Sequence, residues 1–98
     1  KIIDPGDMPS FPGGQLALYK FIEENLRYPD VDAEGKVFVQ FFIEPTGVVT
    51  GTTVVRGVHE QLDKEAVRLV NTFPKWVPSK HVASPGRVLF TLPITFQR

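Results

Sequence analysis

The stretch RVLFTLPITF, residues 87 to 96, decides the fold. Val88, Phe90, Leu92, Ile94 and Phe96 fall on one face and Leu89, Thr91, Pro93 and Thr95 on the other, the period-two alternation of a β-strand. Pro93 interrupts the row of backbone donors, and a proline inside a strand is tolerated at a sheet edge, a first position or a bulge. The run is therefore expected to be an edge strand. An edge exposes N–H and C=O groups that can pair with another chain, so a protein either blunts it or uses it for binding.

Two further strands lie upstream. KVFVQFFIE (36–44) alternates with Val37, Val39, Phe41 and Ile43 on one side, and PTG (45–47) leads into VVTGTTVVRG (48–57) as in a hairpin. Phe38 and Phe42 fall on the opposite face, which is expected to need a cover, for example from the first helix; an exposed aromatic pair is the alternative. That helix follows Pro12-Gly13-Gly14. Leu16, Tyr19, Ile22 and Leu26 recur at helical spacing, with Leu18 and Phe21 widening the face, and Pro29 stops it before Tyr28. A second amphipathic helix runs from about Glu60 to Phe73 on the stripe Leu62, Ala66, Leu69 and Phe73, which is expected to pack on Val37, Val39 and Phe41. Pro74 ends it, and a Pro/Ser-rich connection leads to the last strand.

The order is helix, strand, strand, helix, strand. If the hairpin runs up and down and the second helix carries the chain back up, the last strand descends beside the first. The predicted fold is α+β, two-layered, with a three-stranded antiparallel sheet in the order 2-1-3 and Pro93 at its edge.

Composition narrows the function classes. Ninety-eight residues with 42% hydrophobic content and zero net charge describe one compact soluble domain. Cysteine is absent, which removes disulfides and thiol chemistry. Residues 1–49 carry a charge of −4 and residues 50–98 a charge of +4, an asymmetry read as halves that neutralise each other where they pack. Basic residues are scattered rather than clustered, so nucleic-acid binding finds no support. No apolar run approaches the about 20 residues a membrane helix needs. The chain opens on Lys1 without an initiator methionine, and KIIDPGD (1–7) reads as the remnant of a linker, with the domain spanning residues 8–98.

No catalytic constellation assembles from the residues. HEQLD (59–63) lacks the second histidine of the zinc-protease pattern H-E-x-x-H, and His81 falls in a loop. A small hydrolase using His59 or His81 is the weakest of the readings. Glu23 and Glu24 are adjacent and diverge on a helix. Ser10, Ser79 and Ser84 sit in proline-flanked loops without a nucleophile elbow. Pro12-Gly13-Gly14 lacks the spacing of a phosphate loop and reads as a helix start. Tyr28 and Trp76 are expected at the sheet rim, packed there or offered to a partner. No cofactor or metal is expected.

Taken together, MPSFPGGQLALYKFIEENLRYP, GKVFVQFFIEPTGVVTGTTVVRG, LDKEAVRLVNTFPKWVP and VLFTLPITF resemble the C-terminal domain of TonB-family energy transducers, in particular the Bacteroidota form, with a TonB/TolA C-terminal-domain-like fold. The resemblance covers the chain from Met8 onward. It implies a periplasmic, non-enzymatic domain anchored through an upstream inner-membrane helix and a Pro-rich linker, coupled to an inner-membrane proton-channel motor. Its partner would be the TonB box of an outer-membrane receptor, added to the edge of the last strand. The residues this implies are Arg87, Val88, Leu89, Phe90, Thr91, Leu92 and Ile94, with Tyr28 and Pro29 near the receptor. Between Pro29 and Gly35 the chain carries only DVDAE, where usual members have a longer, alanine-containing helical segment. The same fold also occurs as a sensor or interaction domain on membrane-bound peptidase-type signalling proteins, which is the alternative.

Overall fold

The computed structural model describes residues 9–77 and 87–98. The expected linker remnant 1–7, Met8, and the part of the Pro/Ser-rich connection that holds Ser79, His81 and Ser84 lie outside the described residues. Five elements follow in chain order: α1 (Gln15–Asn25), β1 (Gly35–Ile43), β2 (Val49–Arg56), α2 (Glu60–Asn71) and β3 (Val88–Phe96). The strands form one antiparallel sheet in the order β2-β1-β3, so β3 is an edge, as Pro93 requires.

The alternation of β1 buries Val37, Val39, Phe41 and Ile43, and β3 adds Leu92, Ile94 and Phe96 to the same face. Leu62, Ala66, Leu69 and Val70 of α2 close that face, and each is fully buried. The stripe ends earlier than the sequence suggests, because α2 stops at Asn71 and Phe73 lies beyond it. Phe73 is half-buried and meets Phe41 at 6.0 Å, so its expected place against β1 holds although it is no longer helical.

α1 starts where Gly13 and Gly14 both take φ near +89°, a region open to glycine and strained for other residues. Its phase differs from the expected one. Leu18 is its buried residue, with Phe21, Ile22 and Leu26 packed alongside, whereas Leu16 is 83% and Tyr19 53% exposed. An aromatic cluster sets this rotation: Phe11 meets Phe21 at 5.5 Å, Phe73 at 5.6 Å and Trp76 at 5.7 Å, and Phe21 meets Phe73 at 5.4 Å.

Both helices therefore lie on the core face, and α1 does not cover Phe38 and Phe42. These two are half-buried within the outer face itself. Phe38 stands between Arg56 and Pro93 in the strand register, and the Arg87 guanidinium sits 4.3 Å over the Phe42 ring. Among the described residues, opposite charges of the two chain halves meet in two places, Arg87–Glu44 at 2.6 Å and Arg98–Asp32 at 3.9 Å, in line with the charge asymmetry of the sequence. No described helix is long and apolar enough to cross a membrane.

Candidate peptide-docking edge

β3 pairs with β1 residue for residue from Gly35↔Phe96 to Ile43↔Val88 without a register shift. Its free side is thus a straight, nine-residue edge. Leu89, Thr91, Pro93 and Thr95 are exposed, while Leu92, Ile94 and Phe96 are buried and Val88 and Phe90 half-buried.

A groove accompanies this edge. Its first compartment, about 340 Å³, lies between Phe90–Pro93 and the α1 residues Gln15, Leu18 and Tyr19, above Phe11 and Trp76. A second, about 440 Å³, continues past Pro93 to Thr95 and Gln97 along Ile22, Glu23 and Leu26. Tyr19 and Pro93 line both. Trp76 is 3% exposed, and its indole N–H has no acceptor among the described residues. It is held by its backbone: Trp76 N–H donates to the Gly47 carbonyl at 2.8 Å. A Cβ at Gly47, where φ is +91°, would stand 2.1 Å from the Trp76 oxygen, so the hairpin turn and Trp76 fit only with glycine.

The two ends of the edge are fastened differently. At the start of β3, the Arg87 guanidinium donates to both Glu44 oxygens, at 3.3 and 2.6 Å, and Thr50 hydroxyl also donates to Glu44. Those bonds hold the Glu44 carboxyl below its usual range and raise Arg87. Arg87 is thus occupied by Glu44, just past β1, and by Phe42 of β1 rather than left free at the edge. At the far end, Tyr28 meets Phe96 edge-on at 5.8 Å, donates its hydroxyl to the Ala33 carbonyl and lines the second compartment. The short 30–34 segment is drawn in by Arg98, which donates to the Val31 carbonyl at 2.7 Å.

Pro29 separates from this site. It lines another depression with Arg27, Gln61, Lys64, Glu65, Arg68 and Tyr28, which borders both. There Glu65, 8% exposed, accepts from the Arg27 amide at 2.7 Å and twice from Arg68 at 2.7 Å, and Arg68 also donates to the Asn25 carbonyl at 2.9 Å. Burial opposes the Glu65 charge, but the hydrogen bonds from Arg68 and Arg27 and their positive charge outweigh it and hold the carboxyl below its usual range. This arrangement ties the end of α1 to α2.

The structure thus lines one groove with Phe90, Thr91, Leu92 and Tyr28, keeps Val88, Leu89 and Ile94 on β3 but outside that lining, with Ile94 in the core, engages Arg87 elsewhere and leaves Pro29 outside. Sequence reasoning missed the α1 wall, because it turned Tyr19 toward the core. His59 stands at the start of α2, where its imidazole Nδ1 caps the helix by accepting from the Gln61 amide at 3.0 Å.

A sequence model of the Gram-negative bacterial TonB protein C-terminal matches residues 24–97. The chain belongs to that family. Two solution structures of the Helicobacter pylori TonB C-terminal domain are similar. One, residues 179–285 of that protein, is 25% identical with a TM-score of 0.63 and covers 85% of this chain and 78% of its own. The other, residues 194–285, is also 25% identical with a TM-score of 0.63 and covers 84% and 90%. No curated protein matches the chain by sequence. The TonB C-terminal fold expected from the residues is therefore the fold observed, and the membership ties the chain to TonB-type energy transduction, a role of interaction domains that work with outer-membrane receptors in Gram-negative bacteria.

Proposed function

We propose that the domain stands in the periplasm and binds the TonB box of an outer-membrane receptor as an added β-strand on the free edge of β3. The observation that carries this reading is the straight nine-residue edge, paired without a shift on one side and bordered by a groove on the other. Pro93 indicates which amides are available. Its missing N–H costs the sheet nothing only if that position faces away from β1, so Leu89 and Thr91, on the same alternation, turn their N–H and C=O outward.

The energetics suit a transient grip. Each added backbone hydrogen bond nets about 0.5–1.5 kcal/mol, while ordering a flexible peptide costs about 1–2 kcal/mol per residue. Affinity is then micromolar or weaker. Tension along the strand loads several bonds together, so the same edge resists a pull and releases afterwards. In this reading residues 8–98 are the binding domain, residues 1–7 end its linker, and an upstream inner-membrane anchor connects it to a proton-driven motor. The domain performs no catalysis.

Titrating the labelled domain with a synthetic TonB-box peptide tests this. Amide resonances of Leu89 and Thr91 are expected to move most. Shifts confined to the Arg27–Arg68 depression would contradict it.

A further inference from the structure

A strand added to β3 extends the sheet, so its side chains alternate between the outer face and the face on which α1 lies. Every second side chain therefore enters the groove. The wall it meets is helical: Leu18 in the first compartment and Ile22 in the second are one turn apart, about 6 Å. Side chains two residues apart on a strand are separated by about 6.6 Å. The spacing of the compartments thus matches that of consecutive groove-facing side chains.

The compartments differ in chemistry. Leu18, Trp76, Phe90 and Leu92 give the first an apolar lining. The second has Ile22 and Leu26 below and the exposed Glu23 carboxylate at its rim, and Glu23 has no ion-pair partner among the described residues. Tyr19 divides them, its hydroxyl held by the Gln15 side-chain amide at 2.7 Å. Most of this wall precedes residue 24, outside the span that matches the family.

We infer that α1 and β3 together form a two-compartment selector for the added strand, which prefers an extended peptide bearing a bulky apolar side chain and, two residues away, a basic one. This rests on the strand-addition reading and gives it a side-chain code. The apolar side chain fills the first compartment; the basic one lays its stem on Ile22 and Leu26 and its charge beside Glu23.

Threonine heptapeptides test it, with emission of Trp76, the single tryptophan, as the binding signal and amide exchange of residues 88–92 as the check on placement. One peptide carries leucine at its third and lysine at its fifth position, one the reverse, one the two side by side, and one neither. The better of the two spaced peptides is expected to bind at least about tenfold tighter than the adjacent and the all-threonine peptides. Glu23→Gln should remove about two- to fivefold of that preference. Tyr19→Ala, at an exposed position, should weaken the spaced peptide and leave the all-threonine peptide unchanged. Equal binding of spaced and adjacent peptides, with equal protection of residues 88–92, overturns the selector and leaves strand addition standing. Absence of protection on β3 with every peptide overturns both.

Discussion

The two edges of the sheet are built to opposite ends. Along β2, Phe38↔Arg56 is followed by Val39↔Val54, and Gln40↔Thr53 by Phe42↔Thr50, so β2 carries an extra residue at each of two places. Bulges of this kind twist an edge and break its row of donors, a common way to keep other strands off. Thr52 also donates to the Asn71 side chain at 2.7 Å, tying β2 to α2. β3 has no bulge, and α1 stands off from it far enough to leave a groove. One edge is closed by its own irregularity, and the other stays regular with Pro93 as its single interruption. This difference is what favours β3 over β2 as the strand proposed for docking.

Both edges hang from β1, and the largest expected effect lies there. Phe41 is fully buried, and Phe41→Ala should cost about 3–5 kcal/mol in chemical denaturation. Exchange protection of β2 and β3 should fall together; loss on one edge alone would mean that they do not share a core.

A proline scan separates the edges. Thr91→Pro should abolish TonB-box binding, a loss of at least about 2 kcal/mol, with little change in stability, because an outward N–H bonds only the partner. Thr53→Pro should cost stability, because the same alternation turns the Thr53 N–H toward Gln40 of β1, yet leave binding by the folded domain intact. The reverse outcome would exchange the roles of the two strands.

Acid should loosen the end of α1 through its Glu65 clamp. A carboxyl held below its usual range stabilises the fold above the ordinary glutamate pKa of about 4.3, and that contribution is lost as pH falls through the lowered folded value. Exchange protection of α1 should therefore decline on acidification through this window. Glu65→Gln should flatten this dependence while β2 stays unchanged.

The smallest effect is expected at Leu16. Its exposure predicts that Leu16→Ala changes stability by no more than about 0.5 kcal/mol. A cost of about 2 kcal/mol would return Leu16 to the core and rotate the α1 wall away from β3.

The edge strand was legible because Pro93 and strict alternation leave few arrangements, and the strand order followed from the direction of each element. The phase of α1 was not. Leu16, Leu18, Tyr19, Phe21 and Ile22 fit two overlapping stripes, and only the distant rings of Phe11, Phe73 and Trp76 choose between them. The bulges of β2 were equally hidden, since VTGTTVV is a run of small and β-branched residues with no strong register signal. Arg87 belonged to the expected binding strand, yet its Glu44 partner lies 43 positions away, beyond any local pattern. Thus the edge could be read from local rules, while the groove beside it depends on packing between remote segments.

The most direct measurement is amide exchange of the domain with and without a TonB-box peptide, read strand by strand. The account predicts new protection at Leu89 and Thr91, ending at Pro93, with β2 unchanged. Protection gained along Val49–Arg56 while β3 exchanges as before would contradict it.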